Sequence, residues 1–100
     1  MNPIIIYTSI DSKMNANKLA RKLVENNLAA CINIIPIEES IYNWDGKVQS
    51  ESEFQLIIKT DLSYKSSIEK FIKLNHTYEV PEFIITVISY GSLEYLNWMK

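Results

Sequence analysis

The stretch from His76 to Glu82 carries the side chains best suited to chemistry in this sequence. It reads HTYEVPE and places an imidazole, a phenol and two carboxylates within seven positions. Pro81 fixes its own φ angle and favours an extended conformation at Val80, so the connection is expected to be stiff. Polar side chains on such a loop are typical of a binding site. The alternative is a helix C-terminus, with His76 close to the helix dipole and a solvated loop after it.

A metal ion is one ligand that this loop is expected to accept. His76 is the only histidine of the chain, and imidazole suits Cu(II) and related divalent cations. Cys31 is the only thiol, but it lies in a strand predicted to be buried, where free cysteine acts as a small hydrophobic residue. If the chain binds Cu(II) or another divalent cation, the ligands expected from the sequence are His76, Glu79 and Glu82, in a weak site; the alternative is that it holds no cofactor.

A second group of residues is suited to a cleft that binds a small molecule. Aromatic walls with a few converging polar groups are typical of such clefts. The alternative is that the aromatic residues form the core of an interface and that the lysines form its solvated rim. The members of this group are Tyr42, Trp44, Lys47, Lys59, Tyr78 and Glu79, with His76 beside them.

Strand-like segments are predicted to position these groups. They cover residues 4–10, 28–35, 40–44, 47–59 and 83–89. The first is a run of β-branched and aromatic residues, and apolar and polar residues alternate in parts of the others. Pro36 interrupts the second segment, and because proline cannot donate to a β-ladder it marks a bulge or an edge strand. Asp45-Gly46 is a strong signal for a two-residue hairpin turn.

Apolar residues spaced three and four apart predict three helices. The first begins after Asp11 or Ser12, the second after Asp61 or Ser63, and a short third after Gly91-Ser92. The residues predicted to face inward are Ala16, Leu19, Ala20, Leu23 and Val24 in the first helix, Tyr64, Ile68, Phe71 and Ile72 in the second, and Leu93, Leu96 and Met99 in the third.

This order of elements predicts one α+β domain over residues 1–100. It is typical of a ferredoxin-like βαββαβ sandwich, in which two helices pack on one face of a four-stranded sheet, followed here by a short C-terminal helix. The strands on either side of Asp45-Gly46 are longer than such a sheet can pair, so their hairpin is expected to protrude. A protruding edge with aromatic residues favours association with copies of the same chain. The alternative is a twisted arm whose aromatic residues fold back on the domain.

Composition excludes several classes of protein. The net charge of −2 and the pI of about 5.3 argue against a nucleic-acid partner, because binding nucleic acid requires a basic surface. A single cysteine permits no intrachain disulfide. The sequence contains no stretch of 18 apolar residues, so no membrane span is predicted. With no signal-like N-terminus recognised, the expectation is a cytoplasmic protein with no membrane partner.

Four segments of the chain resemble the CutA family of divalent-cation tolerance proteins. They are LAACIN at 28–33 with Pro36 after it, SIYNWDGK at 40–47, EFQLIIKT at 53–60, and HTYEVPE at 76–82, followed by YLNW at 95–98. They occur in the family's order and span nearly the whole sequence. The resemblance implies a homotrimer of ferredoxin-like subunits, similar to PII signalling proteins, in which the long hairpin strands pair between subunits. It also implies a link to copper and other divalent metals, and no enzymatic activity.

In such a trimer the hairpin of one subunit is expected to lie near the His76 loop of another. The leading interpretation is therefore a homotrimeric, PII-like binding or signalling protein linked to metal tolerance. A small-molecule-binding trimer without a metal role is the alternative.

Two other classes share this order of elements. An acylphosphatase-like enzyme needs an arginine in a phosphate-binding loop near the first strand, whereas residues 8–12 read TSIDS and Arg21 lies within the first predicted helix. An RNA-recognition module needs stacking aromatic residues on two central strands, and the predicted strand at 47–59 offers Phe54 alone.

Overall fold

A computed structural model describes residues 1–100 and confirms the ferredoxin-like α+β fold. Its elements are β1 (Pro3–Ile10), α1 (Lys13–Glu25), β2 (Cys31–Trp44), β3 (Lys47–Asp61), a 3₁₀ turn (Leu62–Tyr64), α2 (Lys65–Asn75), β4 (Ile84–Val87) and α3 (Leu93–Trp98). The strands form one antiparallel sheet in the order β2-β3-β1-β4. None of the helices has the length and apolar character required to span a membrane.

Local capping explains where α1 begins and ends. The Ser12 side chain accepts a hydrogen bond from the Asn15 amide at 3.1 Å, which satisfies one free donor of the first turn. At the other end, Asn27 has a φ of 58°, and the amides of Asn27 and Leu28 donate to Val24 and Leu23 at 3.0 Å each. This is a Schellman arrangement, and it turns the chain from α1 towards β2.

The core lies between one face of the sheet and the two long helices. Alternation along β1 sends every second side chain to this face, because strand side chains have a period of two. α1 and α2 cover it with one apolar stripe each. The largest buried side chains are Ile4, Ile6, Ile10, Leu23, Leu56, Ile58, Ile68 and Ile72.

Several sequence predictions about burial are wrong at the edges of this core. Val24, Tyr64 and Leu93 are exposed. Val24 lies at the margin of the α1 stripe, Tyr64 ends the 3₁₀ turn before α2 begins, and Leu93 opens α3, a helix with no buried residue. Cys31 is half-buried and opens β2. It pairs with Lys59, whereas its neighbour Ile32 packs on the core, so Cys31 lies on the face opposite the helices.

β2 and β3 extend well beyond the sheet that they help to form. β1 pairs with β3 only from Phe54 to Asp61, so Lys47–Glu53 has β2 as its sole partner. The two segments predicted around Pro36 form one continuous edge strand with a bulge between Ile37 and Ser40. Asp45 and Gly46 have φ angles of 53° and 77°, as a type I′ hairpin turn requires. The prediction of a protruding hairpin is confirmed, and we call residues 38–53 the arm.

Two buried threonines provide a matched test of polar burial in the core. The Thr60 hydroxyl donates to the Leu28 carbonyl at 2.6 Å, whereas the Thr8 hydroxyl has no hydrogen-bond partner. A shielded hydroxyl without a partner costs free energy, and a partnered one stabilises. Thr8→Val is therefore expected to leave the free energy of unfolding unchanged or to raise it by about 1 kcal/mol, and Thr60→Val to lower it by about 1 kcal/mol.

Urea denaturation of both variants checks this expectation. A loss of stability in Thr8→Val as large as that in Thr60→Val would show that the Thr8 hydroxyl has a stabilising partner.

Candidate functional site

The loop between α2 and β4 faces the arm across a cleft of about 670 Å³. We call this space the arm–loop cleft. Its walls come from a single chain: the arm supplies one side, the loop the other, and the end of β1 the base. The lining residues are Ser9, Tyr42, Trp44, Gln49, Glu51, Glu53, Thr77, Tyr78, Glu79, Val80, Pro81 and Glu82.

His76 attaches the loop to the sheet. Its backbone amide closes the last turn of α2 on the Ile72 carbonyl at 2.8 Å. The Tyr78 amide donates to His76 Nδ1 at 3.0 Å, so Nδ1 is an acceptor. His76 Nε2 must then carry the proton, and it donates to the Ser9 carbonyl at 2.7 Å. The imidazole is thus a neutral link between β1 and the loop, with both nitrogens engaged.

Tyr78 connects the loop to the arm. Its hydroxyl donates to Glu53 Oε2 at 2.6 Å, and the Glu53 residue is only 7% exposed. Partial removal from water raises the pKa of Tyr78 well above its ordinary value, and the hydrogen bond with Glu53 and the negative charge of Glu53 raise it further. The phenol therefore stays protonated as a donor across the whole physiological pH range.

The arm contributes two aromatic side chains to the opposite wall. Tyr42 pairs with Gln49, and Trp44 pairs with Lys47, so both aromatic residues lie on the same face of the arm. Both are exposed, and Trp44 retains 46% of its surface. Partial desolvation and the neighbouring Glu51 carboxylate raise the pKa of Tyr42. The cleft therefore combines aromatic surfaces with carboxylates.

The group predicted to form a ligand cleft is divided in the structure. Tyr42, Trp44, Tyr78 and Glu79 line the arm–loop cleft, whereas Lys47 and Lys59 do not. Lys47 lies at the tip of the arm, beside the turn. Lys59 Nζ lies 3.5 Å from the Tyr95 hydroxyl, where α3 approaches the face of the sheet opposite the other helices.

Sequence reasoning missed the carboxylates that the arm brings to this cleft. Glu51 and Glu53 are two residues apart on β3, so both point to one side of the strand. That spacing was the only available signal. Their proximity to Tyr78 depends on long-range packing, which the local pattern does not show.

The residues predicted to bind a metal do not form a ready-made coordination shell. No three histidine, cysteine, aspartate or glutamate side chains come close enough together to hold an ion. Glu79 and Glu82 line the cleft, but His76 does not. Coordination by His76 would have to displace its hydrogen bond with Ser9 or with Tyr78. His76, Glu79 and Glu82 as metal ligands stay a prediction.

These features define a small ferredoxin-like protein with a long β-hairpin arm and an aromatic, acidic cleft beside it. The chain belongs to the family described as CutA1 divalent ion tolerance protein, whose model matches residues 4–100. The resemblance seen in the sequence is thereby confirmed. The family takes its description from ion tolerance and not from a catalysed reaction.

Individual relatives support the same assignment. The chloroplastic protein CutA of Arabidopsis thaliana is 45% identical over 97 residues, which are 97% of this chain and 53% of that protein. This chain thus spans about half the length of that relative. The crystal structure of CutA1 from Oryza sativa superposes with a TM-score of 0.95 at 41% identity, covering 99% of this chain and 91% of the rice chain. The structure of the periplasmic divalent cation tolerance protein CutA from Archaeoglobus fulgidus superposes with a TM-score of 0.94 at 34% identity, covering 97% of this chain and 94% of that chain.

These relatives correct the expectation of a cytoplasmic protein. One is described as chloroplastic and another as periplasmic, so a plainly cytoplasmic assignment is wrong. The expectation rested on a single cysteine, on the lack of an apolar span and on an N-terminus in which no signal was recognised. None of these properties distinguishes the compartments, because a domain with no disulfide folds in all of them.

Tyr78→Phe tests the connection between loop and arm. Removing the hydroxyl leaves the buried Glu53 carboxylate without its donor, and this is expected to lower the free energy of unfolding by about 1–3 kcal/mol at pH 7. The raised pKa of Tyr78 also predicts a pH dependence. The neutral phenol stabilises the folded state fully below the ordinary tyrosine value of 10.0, and this contribution is lost as the pH rises above that value.

Wild type is therefore expected to lose more stability than Tyr78→Phe between pH 9 and about 11. Urea denaturation across this range measures the difference. Tyr90→Phe is the matched control, because the Tyr90 side chain is exposed and makes no hydrogen bond to a carboxylate. Identical pH profiles for wild type and Tyr78→Phe would contradict the assignment.

Proposed function

We propose that this protein is a homotrimeric, PII-like binding protein that acts in divalent-cation tolerance and takes a small ligand in the arm–loop cleft. The observation that carries the proposal is the arm itself, because a single chain leaves it largely uncovered. Family membership supports the link to cation tolerance. Catalysis is not part of the proposal.

The arm is built like one side of an interface. Its outer edge along Lys47–Glu53 has backbone groups with no partner strand, and such groups favour pairing with another chain. Ile41 and Val48 lie on the face opposite Trp44, and both are exposed. Exposed apolar surface on a protruding strand favours burial against a partner. A second and a third copy of this chain would cover both features.

The sheet offers a second surface for the same copies. Tyr7, Ile57 and Ile84 share one row of the face opposite α1 and α2. In the single chain α3 approaches this face through the contact of Tyr95 with Lys59. Burial of this row between subunits would extend the interface that begins at the arm.

The state of the imidazole supports binding without catalysis. A histidine acts as a general base when one of its nitrogens is free to accept a proton from a reacting group. In this chain His76 is the only histidine, and backbone groups occupy both of its nitrogens. With both nitrogens engaged, His76 is not free to act as a general base in this conformation.

Val48→Asp tests the proposed assembly. Val48 is 76% exposed in the single chain, so a charge there is tolerated by the fold of the subunit. In a trimer the same charge is buried, and we expect dissociation to become at least about tenfold easier. Light scattering and sedimentation over a dilution series measure the mass. Leu74→Asp is the matched control, because Leu74 is 74% exposed on α2, in the helical layer away from the arm.

Wild type and Leu74→Asp are expected to stay trimeric at micromolar concentration, while Val48→Asp shifts towards monomer. A monomeric mass for the wild type would overturn the assembly. Equal dissociation of both variants would show that the arm is not the interface.

For the metal we propose weak binding of Cu(II) or a similar cation by His76 with Glu79 or Glu82. Binding is expected to be weak because the ion must displace a hydrogen bond of His76. Titration of Cu(II) followed by calorimetry is expected to give lower affinity for His76→Ala than for wild type. Cys31→Ser is expected to match wild type, since Cys31 lies on the sheet face opposite the helices, outside the arm–loop cleft.

Equal affinities of wild type and His76→Ala would remove the metal from this loop. Loss of binding in Cys31→Ser alone would place it on the opposite face of the sheet.

A further inference from the structure

The arm–loop cleft is acidic without being compensated. Glu51, Glu53, Glu79 and Glu82 line it, and no lysine or arginine does. The one ion pair of the protein joins Lys73 to Glu69 on α2, so none of these four carboxylates is neutralised by a basic side chain. Negative charge in a concave surface is focused and attracts cations.

One of these carboxylates is buried and directed towards the cleft. Glu53 is 7% exposed, and its Oε2 accepts the hydrogen bond from Tyr78. The other oxygen, Oε1, has no hydrogen-bond partner in the chain, and it is not among the polar atoms fully shielded from solvent. The cleft is the space that Glu53 lines. Because solvent reaches Oε1, this oxygen is available to accept a hydrogen bond from a donor on a ligand in the cleft.

The distribution of the charge argues for a large cation over a bare metal ion. No three potential metal ligands converge within the cleft, and a small divalent ion requires several oxygens at fixed short distances. Separated carboxylates instead suit a ligand with positively charged groups spaced along an organic body.

The aromatic residues fit the same kind of ligand. Trp44 and Tyr42 present exposed surface on one wall, and Tyr78 lies on the other. Ammonium and guanidinium groups are attracted to aromatic faces, and their carbon chains pack against the same rings. Anionic ligands such as nucleotides would meet four carboxylates and no basic group.

We infer that the arm–loop cleft binds an organic cation with alkylammonium or guanidinium groups, of the polyamine type. The carboxylates of Glu51, Glu53 and Glu79 receive the charged groups, and Trp44 packs against the carbon chain. This inference rests on the proposed function of the cleft as a ligand site and names the chemical class of its ligand.

Spermidine is the probe, titrated by calorimetry at low salt into wild type, Glu51→Gln and Glu79→Gln. Glu51 and Glu79 are exposed, so both substitutions leave the fold intact. Each is expected to weaken binding roughly tenfold. Glu25→Gln on α1 is the matched control, because it makes the same change of net charge outside the cleft, and it is expected to bind as wild type does. If Glu25→Gln lowers the affinity for spermidine as much as the cleft variants do, the change in affinity comes from net charge alone, and the inference is overturned.

Tryptophan fluorescence locates the bound probe. The chain has two tryptophans, so in Trp98→Phe all tryptophan emission comes from Trp44. Spermidine is expected to change this emission, and to leave Trp98 emission in Trp44→Phe unchanged. A change in Trp98 emission alone would place the probe elsewhere.

The mass of each sample separates this inference from the proposed function. A trimer that shows no saturable spermidine binding up to about 10 mM would overturn the inference and leave the assembly standing. Mg²⁺ could also displace spermidine at a concentration below that of spermidine. If this displacement is lost in Glu51→Gln, the cleft is a metal site and the inference is overturned. A monomeric wild type would overturn the proposed assembly, whereas spermidine binding by that monomer would keep the inference.

Discussion

A mismatch in strand length determines most of this structure. β3 has 15 residues, but β1 has only eight, and all of β1 pairs with the second half of β3. The first half of β3 pairs with β2 alone and leaves the sheet as an arm. This arm creates an unpaired strand edge, exposes apolar residues and provides one wall of a cleft. A hairpin matched to β1 in length would have none of these features.

Two side chains then hold the opposite wall in place. His76 joins the loop to β1 through Ser9, and Tyr78 joins it to the arm through Glu53. Both residues are polar and sit where sequence reasoning expected direct contact with a ligand. Their hydrogen bonds give them a positioning role, because groups already engaged within the chain are less available to an ion or a substrate.

Charge is unevenly distributed around this framework. Lysines are frequent on α1 and α2, and Arg21 also lies on α1, whereas the arm and the loop are rich in glutamate. The family is described by tolerance of divalent ions, yet no ready-made metal site is present. An acidic cleft with aromatic walls attracts cations in general, and its size and spread of charge favour organic ones. Under the proposals made above, both kinds of cation would be received by the same surface, the arm–loop cleft.

Local features could be predicted from the sequence. The β-branched run of β1, the Ser12 cap and the Asp45-Gly46 turn each depend on a few neighbouring residues, so the element order, the fold and the protruding hairpin were predictable. The burial of Val24 was misjudged, because the spacing of apolar residues does not show where a helical stripe has its margin. Which polar residues meet depends on the tertiary structure. Glu53 and Tyr78 are 25 positions apart in the sequence, yet their side chains meet. Lys59, in contrast, lies on the other face of the sheet. Strand register and loop closure set both placements, and they depend on contacts between residues far apart in the sequence.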